Sequence, residues 1–300
     1  MWPSGDVPTV DPVMGDVAAR QLSLDASRGN WQPARDFLLS VEHPDDRAFY
    51  TQAVSYVDGV EDWIGDWLAA DPYSTLPLLI RGAHAIYDER LKYAEDCLVE
   101  VTERDPADPT AWMFLVLTGR ARQVGIDEAQ RRFLAATDRH RWHRTAHEHM
   151  LQQLCPKWGG TLEAVHAFAT DTLGDMPPGN PLGALTAMAH IEHWMEVPDG
   201  QETAYIRAPH VVAELREAAE KSVWHPDYEP RPGWPGPENT FAMAFWLAGD
   251  WPAAARQFDT IGDLVTEWPW AYLGDAGRRF AAARDEVDRR VRTGTLPRGR

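Results

Sequence analysis

The chain has 300 residues, is 44% hydrophobic, and carries 46 acidic against 29 basic residues for a formal charge of −17. That length allows one large domain or two ordinary ones, with ample apolar content for a core. So acidic a surface repels phosphate backbones and anionic lipid, which sets aside nucleic acid and membrane and leaves a basic partner or plain solubility.

Residues 1–15, "MWPSGDVPTVDPVMG", are rich in Pro, Gly and Asp without periodicity and read as an extended or poorly ordered arm. They show no basic n-region or apolar h-region, so no signal peptide is expected. From residue 16 apolar residues recur at i, i+3, i+4 and i+7, and alternating β-branched runs are almost absent. The pattern predicts helices over 16–28 and 31–42, then 45–57 and 60–70, then 74–87 and 90–104. It continues with 109–122 and 126–138, 144–155 and 160–173, and 181–196 and 208–223. The stretch "HPDYEPRPGWPGPEN" at 225–239 reads as a long proline-rich loop. Helices over 238–248 and 251–266 follow, then a capping helix near 271–292 and a polar tail over 293–300. Asp71-Pro72, Asp105-Pro106 and Asp108-Pro109 read as helix starts, because proline at a first turn loses no hydrogen bond and aspartate caps free amides. No apolar run approaches the ~18 residues of a membrane span. Cys97 and Cys155 lie in apolar helical contexts without a CxxC pair, and read as buried free thiols of a reducing, cytoplasmic compartment.

A repeat underlies these helices. Asp71-Pro72 and Asp105-Pro106 are 34 residues apart, a period of the kind that marks helical arrays. In the second helix of successive hairpins, Ala94, Leu98 and Val101 match Ala129, Phe133 and Ala136, and then Ala164 and Phe168, with Asp171 breaking the third position. A small residue there lets two helix backbones approach, and the larger one a turn later fills the adjacent groove. The phrases "GNWQPARDFL" at 29–38 and "GDWPAAARQF" at 249–258 carry the same register, Ala34, Leu38 and Val41 matching Ala254, Phe258 and Ile261.

On these residues the chain resembles the tetratricopeptide-repeat (TPR) family. The match takes in Ala94, Leu98, Val101 and the closing Pro106, and then Ala129, Phe133 and Ala136, with Arg141 in place of the closing proline. Leu117 and Ala242 stand where that family has glycine, so the likeness is to a divergent, TPR-like member. The stretch "CPKWGGTLEAVHAF" looks like uncharacterised bacterial proteins of this repeat type. The resemblance implies an all-α fold, a right-handed α-α superhelix of six to seven hairpins with a C-terminal capping helix, forming one repeat domain over 16–292.

In such an array the first helices line a concave groove. Counting back from the small residues places Phe114, Thr118 and Arg122 there, then His149, Gln153 and Lys157, then Asn239, Met243 and Trp246. The leading expectation is a non-catalytic scaffold without a cofactor. It would hold a protein or peptide segment, through the partner's carboxylates or its basic residues, by charge-assisted bonds from groups such as Arg122 and Lys157.

Two other readings rest on particular clusters. "HRWHRTAHEHM" contains His140, His143, His147 and His149, with His166 on the next helix; His143 and His147 share a helix face at i,i+4. "HIEHW" places His190 and His193 at i,i+3 beside Glu192 and Glu196. The four residues His143, His147, His190 and His193 would carry a metal-binding or metal-dependent function, although the zinc-protease Glu is missing beside His143. The 225–239 loop, with His225, Asp227, Tyr228, Arg231 and Trp234, would close a small-molecule sensor. "PKWGG" at 156–160 reads as a turn, and no nucleophile elbow or nucleotide loop is present.

Overall fold

A computed structural model describes residues 7–294, and these are all-α. In chain order the helices are α1 (Val17–Ser27), α2 (Gln32–Ser40), α3 (Pro44–Ser55), α4 (Val60–Ala70), α5 (Leu76–Tyr87), α6 (Leu91–Arg104), α7 (Pro109–Ala121) and α8 (Ile126–Arg139). There follow α9 (Arg144–Gln153), α10 (Leu162–Asp175), α11 (Ala184–Glu196), α12 (Glu202–Ile206), α13 (Pro209–Lys221), α14 (Pro235–Ala248), α15 (Trp251–Ile261) and α16 (Ala276–Gly294). Residues 1–6 of the expected arm and 295–300 of the expected tail lie outside the described residues. No described helix is long and apolar enough to cross a membrane.

Local chemistry sets most boundaries. Asp16 Oδ1 accepts the Ala19 N–H at 2.8 Å and opens α1; Asp108 Oδ1 accepts that of Thr110 at 2.8 Å and opens α7. Asp71 and Asp105 do the opposite of what their Asp-Pro pairs suggest. They close α4 and α6, with φ of −139° and −129°. Proline disfavours helical backbone in the residue before it, so the pair terminates the helix ahead. Pro235 and Pro237, by contrast, stand in the first turn of α14, which therefore begins inside the stretch expected to be loop. The five-residue α12 was not anticipated. The helix expected to reach residue 266 ends at Ile261, where Gly262 takes φ 62°.

The chain packs as two compact units, Asp16–Thr161 and Leu162 onward, the latter including the segment up to Gly15. In the N-terminal unit each of α5 to α8 packs on the helix after it, and α1 meets α3, α3 meets α5 and α7 meets α9. This ordered neighbour packing of short helices is compatible with a helical repeat. The small-residue register has its expected counterpart inside: Ala34, Ala94, Ala129 and Ala254 are wholly buried, whereas Ala164 is half-buried. Gly82 of α5 shows how close the approach is, since a Cβ added there would stand 2.8 Å from Leu98 Cγ and 3.3 Å from the Ala94 carbonyl. Trp31, at the start of α2, and Trp67 of α4 are buried and stack at 5.2 Å between centroids.

The C-terminal unit is centred on rings. Phe258, Trp270 and Phe280 form a triangle with centroids 5.1 to 6.0 Å apart, and Trp270 Nε1 donates to Asn239 Oδ1 at 2.8 Å. Part of the expected arm belongs to this core. Pro8 and Val13 are buried, and the Pro8 carbonyl lies so near Gly277 of α16 that a Cβ there would be 2.0 Å from it. Cys97 and Cys155 are buried free thiols.

Candidate functional site

Four helices of the C-terminal unit, α10 to α13, enclose a hollow of about 560 Å³. Helical periodicity supplies its lining. His166 and Thr170 are one turn apart on α10, Thr186, His190 and His193 follow the same face of α11, and His210, Glu214, Glu217 and Lys221 run along one face of α13. Tyr205 comes from α12. His190 and Thr186 lie buried in the floor, while Thr170, His210, Glu214 and Glu217 stand exposed at the rim.

The floor is a chain of hydrogen bonds. His190 Nε2 lies 2.9 Å from Glu214 Oε2, and His190 Nδ1 lies 2.8 Å from the Tyr205 hydroxyl. That hydroxyl is 3.4 Å from His166 Nε2, which is 2.9 Å from His193 Nδ1. The carboxylate end fixes the order. A carboxylate accepts only, so a neutral His190 carries its proton on Nε2, and its Nδ1 accepts from Tyr205. Tyr205 is further held by its ring, 3.9 Å from that of His193.

Burial keeps the His166, His190 and His193 imidazoles and the Tyr205 hydroxyl uncharged at neutral pH. It pushes His166 and His190 down to about 4, with neighbouring imidazoles adding to the effect, and lowers His193. The Glu214 carboxylate opposes that descent at His166. Burial, and then Glu214, raise the Tyr205 hydroxyl above its ordinary value. Lys221, the cation of the lining, donates to the carbonyls of Leu173 and Gly174 and so caps the end of α10. What remains open to a ligand is neutral donors and acceptors backed by two carboxylates.

The structure places the other sequence candidates as follows. Phe114, Thr118, Gln153, Asn239 and Met243 are buried. Thr118 Oγ1 donates to the Phe114 carbonyl, and Asn239 Nδ2 donates to the carbonyls of Pro235 and Leu264. Arg122 is ion-paired with Glu95, Lys157 is exposed, Trp246 Nε1 donates to Glu286 at 3.1 Å, and burial pushes His149 well down. His143 and His147 belong to the N-terminal unit, and His190 and His193 to the C-terminal one. His147 Nδ1 donates to the His143 carbonyl at 2.8 Å, and burial pushes both imidazoles down to about 4. Glu192 points away from the hollow and accepts from the Tyr272 hydroxyl at 2.5 Å. Tyr205, His210, Glu214 and Glu217 were missed by sequence reasoning. The visible signal was the polar i, i+4, i+7, i+11 stripe of α13.

The stretch expected to form a closing loop frames a second hollow of about 230 Å³ with Trp224, Tyr228 and Trp234. Arg256 lies 4.5 Å over the Trp224 ring. Glu238, buried in its wall, accepts from Gln257, and burial pushes its carboxyl up to about 7.

No protein-family model matches the chain, and no curated protein matches it.

Proposed function

We propose that the protein is a non-catalytic binding scaffold, built of divergent TPR-like hairpins, whose ligand is a basic side chain of a partner segment received in the hollow of α10 to α13. The observation that carries this reading is the hydrogen-bonded chain from His193 through His166, Tyr205 and His190 to Glu214, open at one end to a hollow of about 560 Å³. Such a volume matches a side chain or a small ligand. The imidazoles of His166, His190 and His193 contribute no positive charge, Lys221 is bonded to backbone carbonyls, and Glu214 and Glu217 stand at the mouth. A lysine or arginine entering would exchange water for a charge-assisted bond to Glu214. The formal charge of −17 would steer a basic partner toward the surface.

The test is calorimetry with acetylated, amidated pentapeptides bearing a central Lys, Arg, norleucine or Glu. The basic pair should bind and the other two should not. Glu214→Gln should weaken binding about three- to tenfold, the worth of one charge-assisted contact at a half-exposed carboxylate. Equal binding of the norleucine peptide, or an unchanged affinity in Glu214→Gln, would overturn the reading.

A further inference from the structure

A second cluster lies in the N-terminal unit and shares no residue with the hollow. His43 precedes α3, Asp45 lies in its first turn, and His140 closes α8. The turn "HRWH" at 140–143 then carries the chain into α9. One potential ligand atom from each of His43, Asp45 and His140 lies within 4.8 Å of the other two.

The spacing is informative. Asp45 Oδ2 is 3.6 Å from His140 Nε2, which is beyond hydrogen-bond length. Two ligands about 2.0–2.1 Å from one tetrahedral cation stand roughly 3.4 Å apart, so this gap is close to one edge of such a site. Asp45 is oriented for the task by its other oxygen, since Oδ1 accepts the Arg144 N–H at 2.8 Å. The His43 and His140 rings meet edge to face at 5.1 Å. Behind them His143 is fully buried, neither ring nitrogen makes a hydrogen bond, and Nδ1 lies 3.2 Å from Asp45 Oδ1.

Arg144 faces Glu148 at 3.8 Å, and Asp46 Oδ1 is 4.0 Å from His43 Nδ1. A carboxylate flanked by two imidazoles is a donor set for a borderline dication, and two nitrogens with one oxygen suit Zn²⁺.

We propose that His43, Asp45 and His140 bind one Zn²⁺-class cation, with the fourth position left to water, and that this cation clips the 140–143 turn onto the start of α3. His143 acts as a positioning residue behind Asp45. The site is independent of the hollow, so its fate and that of the binding reading are separable.

The experiment uses the full chain without a polyhistidine tag. One equivalent of Zn²⁺ should bind by calorimetry and raise the melting temperature, and Co²⁺ should give the visible d–d absorption of a tetrahedral site. His140→Gln and His43→Gln should each weaken Zn²⁺ binding by at least about tenfold. His193→Ala, in the other unit, should leave it unchanged. Circular dichroism establishes that each variant is folded, and His43→Gln serves if His140→Gln is not. Absence of stoichiometric Zn²⁺ binding, or binding that survives the His43 and His140 variants but falls in His193→Ala, would overturn the proposal.

Discussion

Glu238 offers a prediction whose size follows from its surroundings. Its side chain is buried in α14 at 2% exposure, accepting from Gln257, with Arg256 near enough to lower its pKa but not to offset burial. The carboxyl is pushed from an ordinary 4.5 up to about 7. The sign is that of a buried acid. Below pH 4.5 both folded and unfolded states hold the proton, and Glu238 contributes nothing. Between pH 4.5 and 7 the unfolded state ionises while the folded state keeps its proton, so stability falls as pH rises. Above 7 the penalty is constant. With a shift of about 2.5 units, linkage gives a cost of about 1 kcal/mol at pH 5.5, growing to about 3 kcal/mol at pH 8.

Glu238→Gln removes the titration while keeping an acceptor for Gln257. The stability difference between variant and parent should therefore rise by about 2 kcal/mol between pH 5.5 and 8. Urea unfolding followed by circular dichroism and tryptophan fluorescence at four pH values measures it, and subtracting the parent cancels the other titrating groups. A difference that does not change with pH would refute the reasoning, because it would mean that Glu238 ionises alike in both states.

Gly82→Ala should destabilise the N-terminal unit by about 1–3 kcal/mol in urea unfolding, since the new Cβ would stand 2.8 Å from Leu98 with the Ala94 backbone behind it. Asn239→Ala leaves Trp270 Nε1 and two carbonyls without their partner, and should cost about 2–4 kcal/mol of stability. Tyr205→Phe keeps the ring on His193 but deletes the hydroxyl between His190 and His166. It should weaken capture of a basic peptide while costing no more than about 1.5 kcal/mol of stability, and it should shift the ring resonances of both histidines.

Helix positions were legible because they depend on local pattern. Apolar periodicity places α4 and α7 within a residue of their ends, and the alanine register at 34, 94, 129 and 254 marks real close approaches. Asp-Pro was ambiguous, since the same dipeptide opens α7 at 108 and closes α6 at 105; the periodicity on either side decides. The groove positions depended on how many neighbours a helix has, which no local pattern records. α7 packs against α3, α5, α6, α8 and α9, and α14 against α11, α12, α13, α15 and α16. Helices surrounded in this way bury the faces on which Phe114, Thr118, Asn239 and Met243 lie. The histidine pair 190/193 was visible from its spacing. Its partners were not, because Tyr205 and Glu214 come from two later helices across a turn.

That turn explains why Tyr205 can be both a fixed and a responsive part of the hollow. A five-residue helix has no stability of its own, since nucleation consumes more backbone entropy than one turn of hydrogen bonds returns. α12 persists through tertiary contacts with α11 and α14 and through Ile206, which is 1% exposed in the unit's core. The anchor Ile206 and the Tyr205 hydroxyl that meets His190 therefore belong to adjacent residues on one short element. His190 is different: it stands in the middle of the thirteen-residue α11, whose small and apolar side chains are buried on both sides of it. The hydrogen bond between the two joins a rigid helix to a marginal one. A ligand that engages Tyr205 acts on this marginal element, while His190 holds the reference position against which any reordering is set.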